Sequence, residues 1–241
     1  MQTPPLDSPP RPRRPRTAVR TAWVLGVCSA LLLVLVEAEW RPLVAMDEEV
    51  SHTTHRWAVE ERGVTQAFRV LTDWVWDPVT MRVLCGAVAL WLGVRRGAWW
   101  TAGWLAVACA LGALMQQALK AAVGRDRPVW PDPVDSAHYA SFPSGHVMTA
   151  TLVCGLLLWL LHHYGAPRAL RSAALSVAVV SAVGVALTRV WLGVHWTTDV
   201  VGGWLLGALT VVLAVLAHRT GHPERAARPP LRPRRDPPGG P

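Results

Sequence analysis

Long apolar blocks, each nearly free of charge, recur along this chain and are separated by shorter polar stretches. A membrane-spanning helix needs about 20 mostly apolar residues, with a range of roughly 17–25. In chain order the blocks are Thr21–Val36, Val79–Val94, Ala98–Leu119, Val147–Leu161, Ala173–Leu187 and Val200–Ala217. The shorter blocks reach spanning length once a turn of flanking residues is included. The pattern predicts an all-α, polytopic membrane protein with six transmembrane helices, the alternative being a soluble α-helical protein that buries them.

The two ends of the chain and one internal segment lack this pattern. Residues 1–17 and 219–241 are rich in Pro and Arg, so both are expected to be disordered basic tails. Residues 41–77 are too polar to span, but their loosely helical apolar spacing indicates an interfacial helix. The membrane domain is therefore expected over residues 18–218, with its core motifs within 120–199.

The formal net charge of +8 would by itself suit nucleic acid binding, but the positions of the charges indicate a membrane orientation instead. With six spans, both termini lie on one side, and that side holds 15 of the 24 Lys and Arg residues but only 3 of the 16 Asp and Glu residues. Cytoplasmic loops carry an excess of Lys and Arg. Both termini are therefore expected in the cytoplasm, loops 37–77, 120–145 and 188–199 are expected to face outward, and no nucleic acid partner is expected.

Polar residues cluster at the predicted outward ends of the helices. Charged side chains cost free energy within a membrane, so their presence there indicates a functional site. The first cluster follows the third block and contains Lys120, Arg127 and Pro128. Lys120 is the only lysine in the chain, and lysine supplies a compact point charge where arginine supplies a planar fork. Lys120 is therefore a candidate ligand for an anion, the alternative being a side chain that reaches to the membrane interface.

The second cluster precedes the fourth block and contains Ser144, Gly145 and His146. Ser144 is a candidate N-cap, and Gly145 lets a ligand approach the backbone closely. A helix N-terminus attracts anions through its free N–H groups and its dipole. The cluster predicts an anion site with His146 at its mouth, the alternative being a capped helix with an incidental histidine.

The third cluster, Arg189–Asp199, leads into the sixth block. His195 and Asp199 are four residues apart, so on a helix they would share a face, with Cβ atoms about 5–6 Å apart. The carboxylate would then accept the Nδ1 proton of the imidazole and leave Nε2 free to attack. The alternative is a salt-bridged entry to the helix.

Together the clusters place cations, a helix-end anion site, two histidines and a carboxylate on one predicted side of the membrane. They do not supply Asp and Glu residues at the spacing that holds Mg²⁺. One nucleophilic and one acidic imidazole in a cationic pocket fit phosphoryl transfer without a metal or another cofactor.

The order Lys-x6-Arg-Pro, Pro-Ser-Gly-His and Arg-x5-His-x3-Asp resembles the motifs of the type 2 phosphatidic acid phosphatase (PAP2) superfamily. That superfamily includes lipid phosphate phosphatases and vanadium-dependent haloperoxidases. The matching residues are Lys120, Arg127, Pro128, Pro143, Ser144, Gly145, His146, Arg189, His195 and Asp199. The resemblance covers roughly residues 80–217 and departs at Thr188, where Ser commonly precedes the Arg; the hydroxyl is retained.

The resemblance implies a PAP2/haloperoxidase-like helical core and the hydrolysis of a membrane lipid phosphate through a phosphohistidine. It implies that His195, oriented by Asp199, attacks phosphorus and that His146 protonates the leaving group. The implied phosphate-binding residues are Lys120, Arg127, Ser144, Gly145 and Arg189. No metal ligand and no cofactor are implied, and the expected partners are the lipid phosphate substrate and membrane lipids.

Other functions would use the same residues. A phosphotransferase would pass the phosphate to another acceptor, a haloperoxidase would hold vanadate, and a non-catalytic lipid-binding or transport protein would bind without turnover. Charges at helix ends on one side, rather than at the midplane, favour an enzyme over a transporter. The expected location is a bacterial plasma membrane. Phosphatidic acid, phosphatidylglycerol phosphate and a polyprenyl pyrophosphate all stay open as substrates, and so does the oligomeric state.

Overall fold

The computed structural model describes residues 16–221, and all regular secondary structure in that range is helical, with no strand. The α-helices are α1 (Arg16–Glu37), α2 (Arg41–Glu60), α3 (Arg62–Val70), α4 (Pro78–Arg96), α5 (Trp99–Val123), α6 (Gly145–His163), α7 (Arg168–Trp191) and α8 (Thr197–Gly221), and a π-helical turn, Leu71–Val75, joins α3 to α4. The predicted tails lie outside the described residues, except that 16–17 belong to α1 and 219–221 to α8.

Six segments are long and apolar enough to cross a membrane, and each coincides with one of the predicted blocks, with only Ala98 of the third block outside its segment. They are Arg16–Glu37, Arg62–Arg96, Trp99–Val123, Gly145–His163, Arg168–Trp191 and Thr197–Arg219. The all-α fold with six spans is therefore confirmed. The second segment begins earlier than predicted, because α3 and the π-helical turn lead directly into α4. Asp77 marks the junction, since its carboxylate accepts hydrogen bonds from the N–H groups of Val79 (2.7 Å) and Thr80 (3.0 Å) and so caps α4.

Helix α6 forms the centre of the bundle and packs against α4, α5, α7 and α8. Its approach to α8 is close because two glycines of α8 face the α6 backbone. A Cβ atom on Gly203 would lie 3.0 Å from the Ser144 carbonyl oxygen, and one on Gly207 would lie 2.8 Å from the Met148 carbonyl oxygen. Small residues allow this separation between membrane helices. The close contact holds the start of α6 beside the first turns of α8.

Helix α2 is the part of the fold that the apolar pattern describes least well. Its helicity was predicted, but its buried residues are mainly polar and pack toward α7 and α8: Asp47, Ser51, His55 and Ala58. An interfacial helix would turn such residues to water. Here the polar face of α2 is turned into the protein instead, close to the loops that contain the candidate site.

Candidate active site

Four helix termini meet at one end of the bundle and bring the three predicted clusters together. Lys120 lies in the last turn of α5, Gly145 begins α6, Arg189 lies in the last turn of α7 and Asp199 lies in the first turn of α8. The chain crosses the bundle between successive helices, so that the α5–α6 and α7–α8 connections fall at the same end.

His195 and Asp199 form a buried pair at the centre of this end. His195 Nδ1 lies 3.2 Å from Asp199 Oδ2, and both side chains are almost fully buried. The two residues do not share a helical face, because α8 begins at Thr197 and His195 lies in the preceding loop. The loop is held by Asp199 itself, whose Oδ2 also accepts the Trp196 N–H at 2.9 Å. The predicted pairing therefore forms between His195 in the loop and Asp199 in the first turn of α8.

Arg127 defines the tautomer of His195. Its Nη1 lies 3.2 Å from His195 Nε2, and a guanidinium nitrogen can only donate. Nε2 is therefore the unprotonated nitrogen, and the proton lies on Nδ1, where it is donated to Asp199. Arg127 also donates to the carbonyl oxygens of Tyr139 (2.8 Å) and Val194, so it joins the two loops that contain the clusters.

Lys120 lies beside Arg127 and shares a hydrogen-bond acceptor with it. Both side chains donate to the Ala140 carbonyl oxygen, and Lys120 Nζ is also 3.5 Å from the Ser141 carbonyl oxygen. Lys120 is buried although it is charged. Two cations held this close repel each other unless an anion joins them, so their arrangement suits a bound anion.

The start of α6 supplies further donors. The Ser144 N–H donates to the Asp199 carbonyl oxygen (3.0 Å), which joins α6 to α8. Ser144 occupies the N-cap position, but its hydroxyl makes no capping bond, contrary to the expected N-cap, and it has no partner among residues 16–221. A buried, unpartnered polar group costs about 1–3 kcal/mol. Gly145 faces the Gln116 side chain, where a Cβ would lie 2.5 Å from Nε2. His146 is the second residue of α6 and is half-buried.

Arg189, in the last turn of α7, is also buried. Its Nη1 is 3.5 Å from Thr72 Oγ1 in the π-helical turn and 3.9 Å from Asp135 Oδ2, while its Nε is buried without a partner among the described residues. The adjacent Thr188 hydroxyl donates to the Val185 carbonyl oxygen (2.8 Å) and lies 3.3 Å from Thr72. The retained hydroxyl at residue 188 therefore has a partner that fixes the end of α7.

The electrostatic surroundings keep the imidazole neutral. Burial, and after it the positive charges of Arg189 and Arg127, lower the pKa of His195 well below its ordinary value. Burial also lowers the pKa of Arg127, against the opposing effect of Asp199, but an arginine starts so high that it stays charged at neutral pH. The combination is a neutral imidazole next to permanent cations. Among residues 16–221, no group of three or more His, Cys, Asp or Glu side chains is placed to hold a metal ion.

Two charged residues next to this pair were missed at the sequence level. Arg125 Nη1 donates to Asp199 Oδ1 at 2.8 Å, and its Nη2 donates to Asp47 Oδ2 at 2.9 Å. Arg125 could have been noticed, since it lies two residues before Arg127. Asp47 offered no signal, because it lies on α2 and its contacts with Thr198 join residues 151 positions apart.

The loop between α5 and α6 is attached to α2 and to the His195 loop by aromatic contacts. The ring of His55 stacks on that of Trp130, with centroids 4.0 Å apart, and its Nε2 is 3.1 Å from Asp132 Oδ1. Trp130 Nε1 donates to the Gly193 carbonyl oxygen at 2.9 Å. Gly193 has φ +65° and lies so close to Trp130 that a side chain would collide with the indole.

The model of one protein family matches residues 101–222, a range that contains all eight candidate residues, and its description is PAP2 superfamily. The chain belongs to the PAP2 superfamily. Its PAP2 relatives include phosphatidylglycerophosphatase B of Bacillus subtilis, 38% identical over 101 residues, which are 42% of this chain and 49% of that protein. They also include undecaprenyl-diphosphatase of Sulfolobus acidocaldarius, 26% identical over 165 residues, which are 62% of this chain and 66% of that protein.

A third PAP2 relative is decaprenylphosphoryl-5-phosphoribose phosphatase of Mycobacterium tuberculosis, 38% identical over 129 residues, 52% of this chain and 63% of that protein. The chain thus spans about half to two thirds of the length of these curated relatives. A crystal structure of a transmembrane PAP2 phosphatidylglycerolphosphate phosphatase from Bacillus subtilis superposes with a TM-score of 0.65, at 24% identity, over 84% of this chain and 98% of that one. This likeness shows the shared fold of an integral membrane protein.

Proposed function

We propose that this protein removes phosphate from a membrane lipid phosphate or pyrophosphate through a phosphohistidine formed on His195. One observation carries the proposal: a neutral imidazole, oriented by Asp199, lies in hydrogen-bond contact with Arg127 at a buried end of the helix bundle. The buried, unpartnered Ser144 hydroxyl and Arg189 Nε are donors suited to phosphate oxygens. Membership in a superfamily with phosphatase relatives supports the same reaction.

In the first step, Nε2 of His195 attacks phosphorus, a P–N bond forms, and the bond from phosphorus to the leaving oxygen breaks. His146 gives its proton to that oxygen, which leaves as an alcohol or as a lipid monophosphate. The Nδ1 proton stays on the ring, and the Asp199 carboxylate balances the positive charge of the phosphorylated imidazole. In the second step, water attacks phosphorus, His146 takes a proton from it, the P–N bond breaks and inorganic phosphate leaves.

The cations stabilise the charge that spreads over the equatorial oxygens in each transition state. Arg127 holds Nε2 in the ligand-free arrangement and must transfer that donor to a phosphate oxygen before attack. Its guanidinium has other acceptors in both loops, so a small rotation exchanges one acceptor for another. Lys120 and Arg189 bind the remaining oxygens.

A site at the end of a bundle of membrane-spanning helices supports a lipid substrate. Phosphatidic acid, phosphatidylglycerol phosphate and polyprenyl pyrophosphate have the required group, and the names of the relatives support the last two. The charge distribution along the sequence supports cytoplasmic termini, which place the α5–α6 and α7–α8 connections outside. Because all three lipids present a terminal phosphate, the site residues act in the same way on each.

Purified protein in detergent is expected to release inorganic phosphate from at least one of these three lipids, which a molybdate-based phosphate assay measures. Appearance of the dephosphorylated lipid in equal amount shows hydrolysis, whereas phosphate recovered on an added alcohol shows a transferase. Binding of all three lipids with no phosphate release from any of them would refute the proposal and leave a lipid-binding protein.

Activity is expected to survive removal of divalent cations, because side-chain cations do the work that Mg²⁺ does in metal-dependent phosphoryl transfer. The measurement is the initial rate before and after incubation with EDTA, and we expect it to change by less than about twofold. A loss of activity that added Mg²⁺ restores would place the enzyme in a metal-dependent class.

A further inference from the structure

We propose that Arg125 and Asp47 are positioning residues that orient Asp199, and through it the nucleophilic imidazole of His195. The inference deepens the proposed function and rests on it. It extends the working site beyond residues 101–222, the range that matches the family model, to α2, where Asp47 lies.

Arg125 has the geometry of a bridge between two carboxylates. Nη1 donates to Asp199 Oδ1 at 2.8 Å and to Thr198 Oγ1 at 2.7 Å, and Nη2 donates to Asp47 Oδ2 at 2.9 Å. Its guanidinium lies over the Trp196 ring, 5.6 Å from the centroid. Both terminal nitrogens are therefore directed at Asp47 and Asp199, which separates Arg125 from Arg127, whose Nη1 contacts the imidazole itself.

Asp47 is the anchor of this bridge. Only 1% of its side chain is exposed, and a buried carboxylate is tolerated only when its oxygens are bonded to donors. Oδ1 accepts the Thr198 N–H at 3.0 Å, and Oδ2 accepts both the Thr198 hydroxyl and Arg125. The Thr198 N–H is a free donor in the first turn of α8, so Asp47 caps that helix from α2, a different element.

The consequence for Asp199 is that both of its oxygens are fixed. Oδ1 is bonded to Arg125, and Oδ2 accepts from the Trp196 N–H and from His195 Nδ1. A carboxylate with only the imidazole as partner could rotate about its Cβ–Cγ bond and take the ring with it. With Arg125 in place, Nε2 is already directed toward an incoming phosphorus before substrate binds. Such preorganisation lowers the activation barrier, because the reacting atoms do not have to be aligned during the reaction.

The charges also favour this arrangement. Arg125 lies between the buried carboxylates Asp47 and Asp199, and one positive charge between two negative charges leaves the group with a net charge of −1. That residual charge faces His195, whose ring becomes positive when it is phosphorylated. The bridge therefore holds the compensating charge in a fixed place next to His195.

The test is steady-state kinetics of Arg125→Gln, Arg125→Lys and Asp47→Asn on the lipid that wild-type protein hydrolyses. A misaligned nucleophile lowers the chemical step, so kcat is expected to fall roughly 10–100-fold with KM within about threefold. Arg125→Lys is expected to be intermediate, because it keeps the charge but not the fork that reaches two carboxylates. Matched controls are Glu48→Gln, next to Asp47 on an exposed position of α2, and Arg41→Gln, also exposed; both should match wild type.

A double-variant cycle separates positioning from a merely structural contribution. If Arg125 acts through Asp199, adding Arg125→Gln to Asp199→Asn should lower kcat by less than about threefold further. Multiplied losses in the double variant, or a raised KM with unchanged kcat, would overturn the inference. If Arg125→Gln does not elute as folded protein from size exclusion, Arg125→Lys and Asp47→Asn decide in its place. If wild-type protein releases no phosphate, the proposed function is refuted. If wild-type protein is active and the variants are unaffected, only this inference is refuted.

Discussion

His195→Ala is expected to reduce phosphate release by at least about 10³-fold, because it removes the nucleophile on which both chemical steps depend. The side chain is large and almost fully buried, but its partners are the site residues Asp199 and Arg127, and it lies in the loop before α8 rather than within a helix. The helix bundle should therefore assemble without it. The measurement is the rate of phosphate release by detergent-purified variant protein that elutes at the same size-exclusion volume as wild type.

His162→Ala provides the matched control for this experiment. His162 lies in the last turn of α6, at the opposite end of that helix from His146, and its replacement should leave the rate unchanged. Wild-type protein quenched in acid during turnover should in addition contain an acid-labile, base-stable phosphoryl group that His195→Ala lacks. A His195→Ala protein that releases phosphate normally would assign the nucleophile to another residue.

Arg127→Ala is expected to lower the rate roughly 10²–10³-fold, the cost of removing one donor from a preorganised anion site. The loss has two sources in the structure. The variant loses a cation that contacts His195 Nε2, and it loses bonds to the Tyr139 and Val194 carbonyl oxygens that join the two loops. The measurement is kcat/KM on the same lipid as for wild type.

Arg127→Lys distinguishes these two sources, because it keeps the positive charge but cannot reach several acceptors at once. An intermediate rate would show that charge and geometry both contribute. Arg96→Ala, in the last turn of α4 near the Trp91 ring, is the control for removing one arginine from this chain. An effect of less than threefold in Arg127→Ala would place that residue outside the site.

The apolar pattern predicted the helices well because hydrocarbon-spanning segments must be long and uncharged, and that requirement is local. It also predicted at which end of each helix the candidate site residues lie. Lys120, Gly145 and Asp199 follow or precede uncharged blocks, and a chain that crosses the bundle between helices brings those ends together. The three clusters therefore converge because of the up-and-down topology of the helices, and the number of spans already defines that topology.

The residues that were missed depend on tertiary contacts. Helix α2 looked interfacial because its polar residues are numerous, and nothing in the sequence shows that Asp47 meets Arg125. The spacing of His195 and Asp199 fits a helix as well as the observed loop, so it does not indicate that α8 begins only at Thr197. The spacing predicted the contact between His195 and Asp199 correctly, although the two residues do not lie on one helix as that interpretation assumed.

The buried position of Lys120 has a practical consequence for labelling chemistry. Because the sequence contains no second lysine, the chain has one side-chain amine, and it lies within the proposed anion pocket next to Arg127. Amine-selective acylating reagents will find no competing side chain on the exposed helices or loops. Protection of the Lys120 amine by an added anion, read by mass spectrometry of the peptide that contains it so that the α-amine of the chain is not counted, therefore reports occupancy of the pocket without an engineered probe.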